Sequence, residues 1–187
     1  GQCWAKATEQ AIAWNGQLPE ELSSEGLRLL GCADAQQVID SINPLVENGE
    51  PVIEKRIELH VPDVPIPIIG YIDLITADGV VCDFKTSAKS WTTDKAQSES
   101  QPLFYLAALN QAGVKTDYRA RHYVFVKTRK PQVQVIETKR TIGELFGLLR
   151  TIRDVWRGIE AEAFPMNTAS WKCSSKWCDY FAMCRRG

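Results

Sequence analysis

Three charged residues interrupt an otherwise apolar stretch near the middle of the sequence. The stretch runs from Ile68 to Thr86, and within it stand Asp73, Asp83 and Lys85. Carboxylate oxygens are the ligands that hard divalent cations such as Mg²⁺ prefer, and an ammonium group beside them can position or deprotonate a water. The same residues could instead form a cross-strand ion pair on a solvated sheet face. Two interpretations are therefore open, a metal-dependent hydrolytic site and a surface ion pair.

The elements that would position these residues are the two arms of a β-hairpin. Asp78-Gly79 stands between two runs rich in Ile and Val, which is a strong hairpin signal. Strand side chains alternate between faces, so Asp83 and Lys85 share one face and Phe84 points to the opposite layer. The hairpin is expected to bring Asp73, on the first arm, close to that pair.

Helices and strands are expected on both sides of the hairpin. Glu9 lies in the middle of an alanine-rich helix, and Gln101 and Tyr105 share one face of a later helix that has Pro102 in its first turn. An apolar stripe along the last long helix is expected to face the core. Residue patterns predict helices over 2–14, over 18–46 in two parts, near 98–110 and over 141–162, and further strands over 52–60, 119–126 and 132–138.

Length and composition place limits on the class of protein. A chain of 187 residues fits one domain, which we expect over 1–165, with a small cysteine-containing tail over 166–187 packed on it. The net charge of −1 excludes a global basic field, so any nucleic-acid surface must be local. No apolar run is long enough to span a membrane and no signal peptide is evident, so we expect a cytoplasmic protein that does not contact the membrane.

One local basic stretch is present between residues 115 and 140. It contains eight Lys or Arg residues and two acidic residues. Lys127, Arg129 and Lys130 lie together between two predicted strands, where they could contact a nucleic-acid backbone. A solvated hairpin tip is the alternative interpretation.

Three cysteines are concentrated in the tail. Cys173, Cys178 and Cys184 have the spacing C-x4-C-x5-C. Thiolates close together can hold zinc or an iron–sulfur cluster, but both normally need four protein ligands, and only three are local. Cys3 and Cys32 are the other candidates within the chain. The alternative is that the three thiols pack as small apolar groups among the aromatic residues of the tail.

The order of these motifs resembles that of the PD-(D/E)XK nuclease superfamily, and most closely its RecB-type branch, which includes phage and recombination exonucleases and the nucleases of CRISPR adaptation. The first helix of that branch has the form G-x-x-x-H-x-x-x-E, which this chain matches at Gly1 and Glu9, with Ala5 in place of the histidine. The other matches are G-x-x-D at Gly70–Asp73, D-x-K at Asp83–Lys85, and Q-x-x-x-Y at Gln101–Tyr105. The tail is similar to the cysteine cluster of the iron–sulfur members, although only Cys178 and Cys184 keep the usual spacing.

This resemblance implies a restriction-endonuclease-like α/β (α+β) fold with a mixed sheet of about five strands flanked by helices. It implies that Glu9, Asp73, Asp83 and the Phe84 carbonyl hold Mg²⁺ or Mn²⁺, that Lys85 acts on the attacking water, and that Gln101 and Tyr105 orient Lys85 or a phosphate. It also raises the prospect of a 4Fe–4S cluster in the tail. The implied activity is hydrolysis of DNA phosphodiester bonds by an exonuclease of DNA repair, recombination or phage DNA processing. A structure-selective endonuclease and a catalytically silent DNA-binding module are the alternatives.

Overall fold

A computed structural model describes residues 19–164 and 167–184 of the chain. Two short helices come first, as the sequence predicts for the segment before the sheet: α1 (Pro19–Leu30) and α2 (Ala33–Ser41). A two-stranded ribbon of β1 (Val46–Glu47) and β2 (Glu50–Pro51) leads into the main sheet. The helix predicted over 2–14 lies outside the described residues.

The main sheet has five strands in the order β3-β4-β5-β6-β7. Three of its four pairings are antiparallel, and the pairing of β5 with β6 is parallel. The mixed sheet flanked by helices that the sequence analysis expected is therefore confirmed. The strands are β3 (Ile53–Leu59), β4 (Ile68–Ile75), β5 (Val81–Ser87), β6 (Arg119–Val126) and β7 (Gln132–Lys139).

The parallel pair is connected by two helices that cross one face of the sheet. These are α3 (Thr93–Ser98) and α4 (Gln101–Gln111), with Pro102 in the first turn of α4 as expected. The residue pattern predicts one helix near 98–110, whereas the structure has α3 as a separate helix before α4. The physical reason for a separate α3 is its cap, because the Thr92 hydroxyl accepts the Lys95 N–H.

The hairpin of β4 and β5 pairs over a short length only. Gly79 turns the chain with a φ of +80°, a conformation that suits glycine. Beyond the turn, the register pairs only Ile75 with Val81 and Leu74 with Cys82. At Asp73 the two strands separate, and β4 continues along β3 up to Ile68. This separation leaves a wedge between β4 and β5 at the middle of the sheet.

Apolar side chains form a core on each face of the sheet. On one face, α4 packs Tyr105, Leu106 and Leu109 against Ile72 and Val81. On the other face, α1 and α2 cover the strands, and the core there contains Leu29, Ala35, Leu74, Cys82 and Tyr123. The functional side chains described below lie on the α4 face.

The long helix α5 (Ile142–Glu160) begins with the predicted capping box, in which Thr141 and Glu144 satisfy each other's backbone N–H groups. Its apolar stripe only partly meets the core. Leu145 and Leu148 are buried, but Phe146 and Val155 are 67% and 58% exposed. The expectation that the whole stripe packs inward is therefore wrong, because the described elements that pack against α5 cover only part of the stripe. The final short helix, α6, spans Phe181–Cys184.

Among the described helices, none combines the length and the apolar character that crossing a bilayer requires.

Candidate active site

A chain of hydrogen bonds connects the middle of β5 to the first turn of α4. The Lys85 Nζ donates to Asp83 Oδ1 at 2.9 Å and to Gln101 Oε1 at 2.8 Å. The Gln101 amide Nε2 in turn donates to the Tyr105 hydroxyl. Lys85 is therefore fixed between a carboxylate and an amide, and the amide is itself held by a buried phenol. The alternation of side chains along β5 is as predicted, since Phe84 stacks on Tyr123 at the opposite face.

Asp73 joins this group from the neighbouring strand. Its Oδ2 accepts the backbone N–H of Phe84 at 2.8 Å. This N–H lies where the ladder between β4 and β5 has already ended, so the carboxylate replaces a strand partner. The structure thus brings Asp73, Asp83 and Lys85 to the wedge between the two strands, as the hairpin prediction required.

Burial controls the ionisation of Asp83. The residue is 2% exposed, and desolvation raises the pKa of its carboxyl above the ordinary value, while the Lys85 ammonium opposes that rise. The negative charges of Asp73 and Glu99 raise the pKa further. Burial also raises the pKa of the Tyr105 phenol, which keeps the hydroxyl protonated at neutral pH.

The donor set suits a hard divalent cation. Asp83 Oδ2 is buried and lacks a hydrogen-bond partner in the described part of the chain, although Lys85 Nζ lies 2.9 Å from it as an ion pair. Asp73 supplies a second carboxylate from the adjacent strand, and the Phe84 carbonyl belongs to the same segment of β5. Residues 19–164 and 167–184 contain no group of three or more His, Cys, Asp or Glu side chains placed for a metal. The third predicted carboxylate, Glu9, lies outside the described residues.

Comparisons with known proteins agree with this geometry. A family model for the PD-(D/E)XK nuclease superfamily matches residues 4–185. The chain belongs to the PD-(D/E)XK nuclease superfamily. The Gly70–Asp73, Asp83–Lys85 and Gln101–Tyr105 motifs agree with the family match.

The fold of the chain is similar to that of a solved structure. The chain is similar to a crystal structure from Eubacterium rectale described as a candidate exonuclease, with a TM-score of 0.57 and 9% identity. The match covers 95% of this chain and 66% of that one, so the chain spans a little under two thirds of that protein. A second match is the crystal structure of SSO0001, with a TM-score of 0.43, 18% identity, and coverage of 89% of this chain and 70% of that one. Curated protein sequences give no significant match.

The predicted basic surface is only partly available in this chain. Arg119 is paired with Asp117, Asp78 and Glu137, and Arg121 is paired with Glu137. By contrast, Lys127, Arg129 and Lys130 are exposed at the turn between β6 and β7. The Lys127 N–H donates to the Ser87 carbonyl at 2.7 Å, so this turn lies beside the end of β5, two residues beyond Lys85.

The cysteines of the tail are free thiols. Cys173 and Cys178 are half-buried and Cys184 is exposed. Trp171 and Trp177 meet edge to face at 5.4 Å in the same segment. A cluster at these cysteines stays a prediction, and one of its candidate ligands, Cys3, lies outside the described residues.

Sequence reasoning missed two residues that surround this site. His122 is completely buried on β6, in register with Asp83, and its ring lies 5.4 Å from that of Trp91. Arg140 was counted in the basic stretch, but it is only 2% exposed and donates to the carbonyls of Ala96, Gln97 and Glu99 at the end of α3. Neither residue has a local spacing signal, because both act through neighbours about 40 positions away.

Proposed function

We propose that this nuclease is a Mg²⁺- or Mn²⁺-dependent deoxyribonuclease that hydrolyses phosphodiester bonds from the ends of DNA. The observation that carries the proposal is the fixed position of Lys85 between Asp83 and Gln101, with the Asp73 carboxylate on the facing strand. A structural ion pair needs only Lys85 and one carboxylate. The additional Gln101–Tyr105 support indicates that the orientation of the amine matters.

The residues that would hold the metal are Asp73, Asp83, the Phe84 carbonyl and Glu9. An ion bound there would polarise the scissile phosphate and lower the pKa of the attacking water. Magnesium retains several waters and needs few protein ligands, which suits a site built on two carboxylates and a carbonyl.

The side chains of the site have separate tasks. Lys85 presents N–H donors toward the wedge, where they orient the attacking water in line with the scissile bond. Gln101 holds the amine through its carbonyl oxygen, and Tyr105 keeps the Gln101 amide from flipping. Gln101 stands in the first turn of an 11-residue helix, and the N-terminus of a helix favours the negative charge of a phosphate.

Lys127, Arg129 and Lys130 would contact the DNA backbone on the way into the site. Their turn adjoins the end of β5, so a strand whose phosphate lies at Lys85 would pass this turn. Such contacts give affinity without sequence preference.

The test compares the wild type with Lys85→Ala and with the control Lys89→Ala, a lysine of the exposed loop that follows the same strand. End-labelled linear DNA, single-stranded DNA and covalently closed circular DNA are incubated with Mg²⁺ or with EDTA. We expect the wild type and Lys89→Ala to degrade the linear substrates in Mg²⁺ only, and Lys85→Ala to be at least 100-fold slower, as for loss of a residue that acts on the nucleophile.

Two results would contradict the proposal. Cleavage of the closed circle at the same rate as linear DNA would indicate an endonuclease. DNA binding without metal and without cleavage by any variant would indicate a silent binding module.

A further inference from the structure

Two tryptophans of the C-terminal tail are exposed to solvent beside each other. Trp171 and Trp177 are 67% and 59% exposed, and their rings meet edge to face with the centroids 5.4 Å apart. Turns of the backbone hold the second ring in place. The Trp177 N–H donates to the Ser174 carbonyl at 3.1 Å, and the Cys178 N–H donates to the same carbonyl at 3.0 Å. The pair is therefore ordered by the backbone although it is not packed into a core.

Two lysines add positive charge to the same patch. Lys172 Nζ lies 5.6 Å from the centroid of the Trp171 ring, and Lys176 Nζ lies 5.1 Å from that of the Trp177 ring. Both lysines are exposed, and Asp179 is the only acidic residue between positions 167 and 184. The net charge of the whole chain is −1, so this tail patch of two tryptophans and two lysines is a local basic surface.

The two features of the tail patch match the two features of an unpaired nucleotide. An open indole face can stack on a nucleobase, and every base has such a face. In a duplex the bases are stacked on their own neighbours, so an unpaired strand offers these faces more readily. An ammonium group beside the ring can then contact the phosphate of the same nucleotide. Rings and amines this close together therefore favour single-stranded nucleic acid over a duplex.

A membrane surface also attracts tryptophan and lysine, but the shape of the tail does not favour it. Peripheral binding of that kind uses an amphipathic helix that lies in the plane of the interface. Between residues 167 and 184 the structure has turns and the four-residue helix α6 (Phe181–Cys184) instead. Turns that present separate rings suit separate bases better than they suit a continuous apolar layer.

We propose that the tail patch binds single-stranded DNA by stacking unpaired bases on Trp171 and Trp177. The inference rests on the proposed function, because it takes DNA as the substrate, and it deepens that function by naming the unpaired strand as the form that the tail holds. Lys172 and Lys176 contact the phosphates of the stacked nucleotides. Such binding does not depend on sequence, since stacking tolerates every base.

Fluorescence anisotropy of labelled DNA, in buffer without divalent metal, measures this contact without cleavage. The full chain is compared with the double variant Trp171→Ala, Trp177→Ala on oligothymidylate, on an abasic strand of the same length and on a blunt duplex. We expect the double variant to bind oligothymidylate at least about tenfold more weakly than the wild type, because it has lost the stacking surface. Its affinities for the abasic strand and for the duplex should stay within about twofold of the wild type.

Three further variants serve as controls. Phe146→Ala removes an aromatic side chain of α5 that is as exposed as that of Trp171, and it should bind as the wild type does. The double variant Trp171→Phe, Trp177→Phe keeps both aromatic faces and should recover most of the affinity. The double variant Lys172→Gln, Lys176→Gln should flatten the slope of log affinity against log salt by up to about 1.4, and it should still prefer oligothymidylate to the abasic strand.

Two results would overturn the proposal. One is an affinity for oligothymidylate that the alanine variant shares with the wild type; loss of binding to phosphatidylserine vesicles in that variant would then assign the patch to a membrane. The other is an equal loss of affinity for oligothymidylate and for the abasic strand, which would show that the rings do not contact bases. If the alanine variant does not fold, photocrosslinking of a strand that contains 5-iodouracil to the unaltered chain decides. Crosslinks at Trp171 or Trp177 support the proposal, and crosslinks confined to other residues oppose it.

The outcome for the tail patch is separate from that for the proposed function. A wild type that binds oligothymidylate through its rings but cleaves no DNA would remove the proposed function alone. A wild type that cleaves DNA, with an alanine variant of unchanged affinity, would remove only the role of the tail patch.

Discussion

Arg140 is the residue whose replacement should reveal how the site is held in place. Its guanidinium donates to Ala96 O and Glu99 O at 3.0 Å each and to Gln97 O, and it lies 3.6 Å from Glu144. These carbonyls belong to the last turn of α3 and to its end, and Gln101 follows two residues after Glu99. Arg140 therefore fixes the point from which the helix carrying Gln101 begins.

The expected loss of stability follows from the number of hydrogen bonds that Arg140 makes. Hydrogen bonds that involve a charged group contribute about 1.5–3 kcal/mol each, and three buried or partly buried carbonyls lose their donor in Arg140→Met. The methionine keeps part of the apolar packing, so the free energy of unfolding should fall by about 4 kcal/mol. With a urea dependence of about 2 kcal/mol per molar, the unfolding midpoint should fall by about 2 M. We also expect kcat to fall by about tenfold, because Gln101 no longer holds Lys85 in place.

Urea unfolding followed by circular dichroism, and cleavage of linear DNA, measure the two effects. Arg140→Lys keeps the charge but lacks the planar fork, so its loss of stability should lie between those of the wild type and Arg140→Met. The control Arg150→Met changes an exposed arginine of α5 and should alter the stability by less than about 0.5 kcal/mol. If Arg140→Met and Arg150→Met unfold at the same urea concentration, the hydrogen bonds of Arg140 to the end of α3 do not stabilise the fold as argued.

Three further predictions concern charge and packing. Burial raises the pKa of Asp83, so the native state holds a proton where the unfolded chain has lost it, and stability should fall as the pH rises from the ordinary carboxyl pKa to the raised one. In EDTA, Asp83→Asn should remove this dependence of stability on pH, and at pH 8 it should unfold at a higher urea concentration than the wild type. The same pH profile of stability in both proteins would contradict the prediction. Replacing Lys127, Arg129 and Lys130 by Gln should flatten the slope of log affinity against log salt by up to about three, measured by fluorescence anisotropy, and an unchanged slope would exclude these residues from the interface. Leu106→Ala, at a fully buried position of α4, should cost about 2–5 kcal/mol in urea unfolding, and a loss below 1 kcal/mol would mean that the core there collapses around the gap.

The parts of the fold that are predictable from the sequence are those that depend on local chemistry. The hairpin turn at Asp78-Gly79, the capping box at Thr141 and Glu144, and the position of Pro102 in a first turn all follow from neighbouring residues. The shared face of Asp83 and Lys85 follows from strand alternation alone. These local rules account for the positions of Asp73, Asp83, Lys85 and Gln101 relative to their own strands and helix.

The parts that escaped prediction depend on contacts between distant segments. Nothing near His122 in the sequence shows that the parallel pairing of β5 and β6 places it beside Asp83. Arg140 has the composition of a surface cation, and only the packing of α3 against β7 buries it. The burial of the apolar stripe of α5 is also not decided locally, because the exposure of Phe146 and Val155 depends on which other elements pack against that helix. Burial is a property of the whole fold, so such residues are the least predictable.

The separation of β4 from β5 has a consequence for how variants of this protein are interpreted. The sheet consists of two ribbons, β3–β4 and β5–β7, and the pairing of β4 with β5 that joins them has only two residue pairs. The hydrogen bond from the Phe84 N–H to the Asp73 carboxylate adds one more contact between the two ribbons. An Asp73 variant therefore loosens the junction of the two ribbons and removes a charge in the same step. Hydrogen exchange at the Phe84 amide would measure the loosening of the strand junction separately from the loss of the Asp73 charge.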